Sequence, residues 1–185
     1  YGTLYATDKW NYDGAIKATS QGDDAYQRYA RAQNVKDYML EFSAMFEFMP
    51  FRMNPEIGRA YKRGQPWIGL GFGYFHFVPY STVGNTDTWV KIHDLHLEGQ
   101  GWTDPTGTVS YPKQFSLWQM ELPLAIGYRW DLGEHLNLGI EYIYRMTFTD
   151  YLDGVSGKYV GANEFAQHMS KEDAVLAANV ADKGY

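Results

Sequence analysis

Hydrophobic residues recur at every second position over long stretches of this chain, most clearly in residues 136–150, LNLGIEYIYRMTFTD. Leu136, Leu138, Ile140, Tyr142, Tyr144, Met146 and Phe148 share one face of an extended chain. Asn137, Gly139, Glu141, Ile143, Arg145, Thr147 and Thr149 share the other, because side chains on a strand alternate. The run exceeds the ~9–11 tilted residues with which a β-strand crosses a bilayer. A continuous apolar face with charge opposite it predicts a transmembrane strand, apolar side to lipid and polar side to a barrel interior.

The same alternation recurs in residues 37–50, where Tyr38, Leu40, Phe42, Ala44, Phe46 and Phe48 oppose Asp37, Glu41, Ser43 and Glu47. In 66–80, Ile68, Leu70, Phe72, Tyr74, His76 and Val78 oppose Gly69, Gly71 and Gly73. In 116–130, Trp118, Met120, Leu122, Leu124, Ile126, Tyr128 and Trp130 oppose Gln119, Glu121, Pro123, Ala125, Gly127 and Arg129. The period is two and not 3.6, so strands and not helices are expected. Residues 1–7 read as the end of another strand, with Tyr1, Thr3 and Tyr5 on one face. Glycine weakens a strand unless large neighbours press against it, so the glycine stripe predicts a filled interior. Pro123 cannot donate to a ladder, which predicts a local break or bulge.

Between these strands the connections are long (8–36), medium (51–65), long (81–115), tight (131–135) and long again (151–185). Residues 89–95 allow a short strand, and Ser170 followed by Asp173 opens a short helix over 171–181. Outer-membrane barrels carry long extracellular loops and short periplasmic turns. The expected topology therefore puts 8–36, 81–115 and 151–185 outside, with 51–65 and 131–135 in the periplasm. The expected fold is all-β: a single antiparallel transmembrane β-barrel domain of about eight strands, some lying beyond both ends of the sequence.

Composition agrees with this picture. Aromatics make up 17% of 185 residues, with Tyr 16 and Gly 19, as expected where aromatic girdles mark two membrane interfaces. Mean hydropathy is only -0.45, because alternation cancels in any window average. No apolar run approaches the ~18 residues of a membrane helix. Cysteine is absent, which removes disulfides and thiol metal sites. A net charge of -6 argues against nucleic acid as a partner. An exported protein needs a leader, and none is visible, so a processed chain or a fragment is expected.

The interior-facing charges are Glu41, Glu47, Glu121, Arg129, Glu141 and Arg145. An eight-stranded barrel is just wide enough for side chains to fill, so these should form a salt-bridge network closing the lumen rather than an ion path. Acids outnumber bases, so the remaining strands should add inward Arg or Lys. An apolar ligand cavity of the lipocalin kind conflicts with charge on that face. His93, Asp94, His96 and Glu98 cluster in an outer loop, but two histidines three apart make a weak metal signature, and a solvated loop is expected. Asp150, Asp153 and Gly154 lack the further oxygen ligands of a calcium loop and read as a hydrogen-bonded turn. No nucleophile, phosphate-loop or zinc-protease motif occurs, and His76 falls on the lipid side, so no enzyme, metal or cofactor is expected. Residues 51–65 carry Arg52, Arg59, Lys62 and Arg63 against Glu56, a basic turn that suits an acidic periplasmic partner or lipid headgroups.

Three segments together carry a family resemblance: PWIGLGFGYFHFVPY with the downstream LHLEGQG, then LPLAIGYRWDLGEHLNLGIEYIYR, then MTFTDYLDGVSGKYV. They resemble the PorG family, outer-membrane barrels of the type IX secretion system of Bacteroidetes. The most specific piece is TFTDYLDGVSGKY, with Gly154 where Asp is commoner in the family. The resemblance covers residues 37–160. It implies an eight-stranded barrel without catalysis that anchors the periplasmic PorK–PorN ring to the outer membrane. A surface barrel whose outer loops bind a ligand or a cell-surface protein is the alternative.

Overall fold

The computed structural model describes residues 1–7, 33–50, 64–84, 86–132 and 136–183. These are mostly antiparallel β. The strands are β1 (Gly2–Thr7), β2 (Asn34–Phe48), β3 (Gly64–Thr82), β4 (Trp89–Lys91), β5 (Trp118–Asp131) and β6 (Asn137–Thr147). Two helices follow, α1 (Ala162–His168) and α2 (Lys171–Ala181). The strands form one 6-stranded sheet in the order β1-β2-β3-β5-β6, with β4 pairing β3 off this path. Among the described residues the sheet is curled and open, with β1 and β6 at its edges, and does not close into a barrel.

Every strand expected from the alternation forms. β2 begins earlier than its apolar pattern because Asn34, Val35 and Lys36 pair with Thr7, Ala6 and Tyr5 of β1. Pro123 produces a break and no bulge. The β3–β5 register is the same on both sides of it, from Leu70↔Leu124 to Gly73↔Glu121, and pairing lapses only between. The short strand expected over 89–95 stops at Lys91 and gives way to a 3-10 turn, His93–Leu95. That turn buries Leu95, which a continued strand would alternate out of register with Ile92. α2 has the expected bounds, and the Ser170 hydroxyl accepts the backbone N–H of Asp173 at its N-terminus.

The chain divides into two compact units. Unit 2 comprises Glu41–His76 and Trp118–Phe148, which take in the greater part of β3 and all of β5 and β6. One face of its sheet is apolar and exposed: Phe42, Ile68, Leu70, Phe72, Ile126, Leu138, Ile140 and Tyr142 are each more than half exposed. The opposite face is covered along β3 and β5, with Trp67, Phe75, Pro123, Ala125 and the carboxylate residue Glu121 buried on it, whereas β6 is exposed on that face at Gly139, Glu141 and Arg145. The glycine stripe makes this packing possible. A Cβ on Gly73 would lie 2.6 Å from Glu121 Oε1, one on Gly71 2.6 Å from the Ala44 carbonyl, and one on Gly69 2.6 Å from Met45 Sδ.

Unit 1 comprises Tyr1–Leu40, Phe77–Leu117 and Thr149–Tyr185. Its connecting segments have an apolar core of their own: Ile92, Leu95, Leu97, Phe165, Ala174, Ala177 and Val180 are buried together, with Trp102, Tyr159 and Met169 packed around them. Full burial of side chains the size of Leu97 and Phe165 contributes about 1.5–3 kcal/mol each. Among the described residues, no helix is long and apolar enough to cross a membrane, which leaves strands unaddressed.

Candidate functional site

β2, β5 and β6 bring most of the expected interior charges together within unit 2. Arg145 Nε donates to Glu41 Oε2 at 2.9 Å and lies 4.0 Å from Glu121 Oε1. Arg129 Nη2 donates to Glu47 Oε2 at 3.3 Å. The Ser43 hydroxyl donates to the other oxygen of Glu41 at 3.0 Å. Glu121 is buried, and its Oε1 accepts no hydrogen bond. Glu141 does not join the group: it is exposed on β6, opposite Gly127, with no ion pair among the described residues. Arg145 thus faces two carboxylates, and the described charges on this face sum to an excess of acid. Arg52, Arg59, Lys62 and Arg63 lie outside the described residues.

The cluster His93, Asp94, His96 and Glu98 resolves into separate structural roles. His93 Nδ1 lies 2.7 Å from Asp94 Oδ1, and its Nε2 lies 3.1 Å from the Phe115 carbonyl. That hydrogen bond, with Lys91 at 3.4 Å, holds the Asp94 carboxyl below its usual range. His96 Nδ1 approaches two acceptors, the Gln100 carbonyl at 2.7 Å and Gln114 Oε1 at 3.1 Å, so it carries the proton. Gln114 Nε2 donates to the His93 carbonyl at 2.9 Å, and one side chain therefore ties both histidines down. Among the described residues no group of three or more His, Asp or Glu is placed to hold a metal ion.

Glu98 is the residue whose role the sequence hides most completely. It is buried, and its Oε1 accepts the backbone N–H groups of Ser156, at 2.9 Å, and Gly157. Its own N–H donates to Gln100 Oε1 at 3.0 Å. The Tyr151 phenol also bonds to Glu98; burial first, and the Glu98 charge second, push that phenol up. One carboxylate of LHLEGQG therefore clamps the TDYLDGVSG segment. That segment is a hydrogen-bonded turn: Val155 N–H donates to Asp153 Oδ1 at 3.1 Å, and Ser156 Oγ to Asp150 Oδ2 at 3.1 Å. Gly154 is required here, with φ +78 and Ile92 Cδ1 occupying the place a Cβ would take. Glycines 99 and 101, both at positive φ on either side of Gln100, let this loop fold tightly.

Further along the same unit, Tyr111 donates to Glu164 Oε2 at 2.5 Å, and this bond pushes the phenol up to about 12. Trp102 stacks on His168 with ring centroids 4.5 Å apart and meets Tyr111 edge-on. The Asp104 carboxylate accepts backbone N–H groups of Thr106, Thr108 and Val109, which hold it well below the usual carboxylate range. Each of these acids caps backbone donors or holds a neighbouring side chain in place. Comparison with protein-family models, curated proteins and solved structures finds no match.

Proposed function

We propose that the protein is a non-enzymatic β-barrel of the bacterial outer membrane, completed to about eight strands by further strands pairing at the free edges of β1 and β6. One observation carries this: unit 2 exposes a continuous apolar face and buries Glu121 on the opposite one. In water that arrangement is unfavourable by the same ~25 cal/mol per Å² that normally buries such side chains. In lipid it is the favourable one.

Dimensions support it. The exposed face of β5 runs from Trp118 to Trp130, twelve residues apart. At ~3.3 Å per residue and ~45° tilt these span ~28 Å of depth, close to the ~25 Å apolar band of such barrels. Each end carries a second aromatic: Tyr74 stacks on Trp118 at 5.2 Å, and Tyr128 lies 4.5 Å from Trp130. On the interior side, Glu41, Glu47, Glu121, Arg129 and Arg145, with Glu141 once its edge is covered, are the charges that would fill the lumen.

Within that class, the proposed role is the one the PorG resemblance implies. The barrel anchors a PorK–PorN-like periplasmic ring of a type IX secretion system, with Arg52, Arg59, Lys62 and Arg63 as the docking turn. Reversing the charge at Arg59, Lys62 and Arg63 in the full-length protein should abolish co-purification of ring proteins in mild detergent while membrane insertion stays normal. Unchanged co-purification would refute the docking role, and recovery of the protein in the aqueous phase without detergent would refute the barrel. The separate core of unit 1, clamped by Glu98, favours one second reading: a surface barrel that presents preformed outer loops to a ligand or a cell-surface protein. That reading predicts the reversal has no effect on any association.

A further inference from the structure

The exposed side of unit 1 carries an alternation of a different kind. On β2 the residues of the apolar parity are Lys36, Tyr38 and Leu40. Across β1 the register partner of Lys36 is Tyr5, and across β4 the register partner of Tyr80 is Lys91. Directly paired residues on antiparallel strands point to the same side of a sheet. Lys36 Nζ sits 4.8 Å above the Tyr38 ring. Tyr38 meets Tyr80 edge-on at 5.6 Å, and Tyr5 meets Trp89 at 6.1 Å. Two ammonium groups are thus set among four aromatic rings on one face, all of them partly exposed.

We propose that this patch binds the phosphate-bearing headgroup of an anionic lipid, with Lys36 and Lys91 on the phosphate and Tyr5, Tyr38, Tyr80 and Trp89 against the glycerol or sugar and the first methylenes. The inference rests on the membrane-barrel reading and deepens it by naming the lipid class. Charge decides the occupant. Among the described residues no carboxylate pairs with Lys36. Lys91 has Asp94 at 3.4 Å, but that carboxylate is nearer to His93, at 2.7 Å, and is shared with it. Tyrosine and tryptophan are the side chains that settle where apolar chain meets wet headgroup, because one end of each ring system is greasy and the other forms hydrogen bonds. A zwitterionic headgroup would bring its own cation to the two lysines and gain less.

The experiment is native mass spectrometry of the full-length protein in detergent, titrated separately with diphosphorylated lipid A, phosphatidylcholine and inorganic phosphate. Lipid A should be retained and the other two should not. Each lysine near an anionic surface contributes roughly fivefold, so Lys36→Gln with Lys91→Gln should weaken retention about 25-fold. Lys36→Arg with Lys91→Arg should restore most of it, which separates lost charge from a misfolded variant. Equal retention of phosphatidylcholine, binding of free phosphate as tight as lipid A, or indifference to the glutamine pair would each overturn the proposal. Those results leave membrane insertion intact, whereas partition into water without detergent would sink the barrel reading itself.

Discussion

Leu70 and Leu138 are nearly equal in exposure, 59% and 57%, and both lie on the apolar face of unit 2. In the proposed barrel they would differ in depth. Leu70 is the register partner of Leu124, midway between Trp118 and Trp130, whereas Leu138 is the partner of Trp130 itself. Replacing each by arginine therefore separates lipid from water as the medium outside. On a lipid-facing strand, arginine costs about 2–4 kcal/mol at the midplane and about 0–1 kcal/mol near an interface. In water an exposed position tolerates the change to within about 0.5 kcal/mol at either site. From Leu124 to either tryptophan is six residues, or ~14 Å of depth at ~45° tilt, which places Leu70 at the expensive end of that scale. Leu70→Arg should therefore be less stable than Leu138→Arg by about 2–3 kcal/mol, or roughly 30- to 150-fold in the folding equilibrium. The assay is guanidinium-induced unfolding of the full-length protein in phosphatidylcholine vesicles, followed by tryptophan fluorescence. Equal free energies for the two variants, or a larger loss at Leu138, would refute the assignment of this face to lipid.

Further outcomes follow from unit 1. Glu98→Gln removes the charge that two backbone N–H groups share. Hydrogen bonds to charged acceptors are worth about 1.5–3 kcal/mol, so amide exchange at Ser156 and Gly157 should accelerate by roughly one to two decades, and unchanged protection would rule out the clamp. The Tyr111 phenol has its folded pKa raised from 10.0 to about 12 by Glu164. Its hydrogen bond therefore stabilises fully below pH 10 and is lost as pH rises through about 12. Phenolate absorbance should show a tyrosine titrating near 12 that moves back toward the ordinary range in Glu164→Gln; a wild-type curve unchanged by that substitution would contradict the bond.

The strands were legible because their information is local. A period of two over 136–150, or over 66–80, needs only the pleat to be read, and the glycines and Pro123 declared packing and a ladder gap on chemistry carried by single residues. The pairing of Arg145 with Glu41 and Glu121, and of Arg129 with Glu47, was foreseen as a shared face but not as particular partners, since register between strands comes from neighbours far apart in sequence. The connecting segments of unit 1, 81–115 and 151–185, read in sequence as long loops holding one short strand and one short helix. The apolar residues of its core, Ile92, Leu95, Leu97, Phe165 and Val180, sit in short segments and short helices that make a core only when stretches some seventy residues apart meet. Glu98 shows the limit most plainly: beside two histidines and an aspartate it reads as part of a solvated loop, yet it is a buried clamp, because the N–H groups it satisfies are the backbone of Ser156 and Gly157, and backbone donors have no signature in sequence. By itself, then, the order of residues determined which face of each strand is apolar, whereas only the tertiary structure decided which distant groups each buried charge must satisfy, because a carboxylate removed from water takes whatever donors folding brings within hydrogen-bond reach.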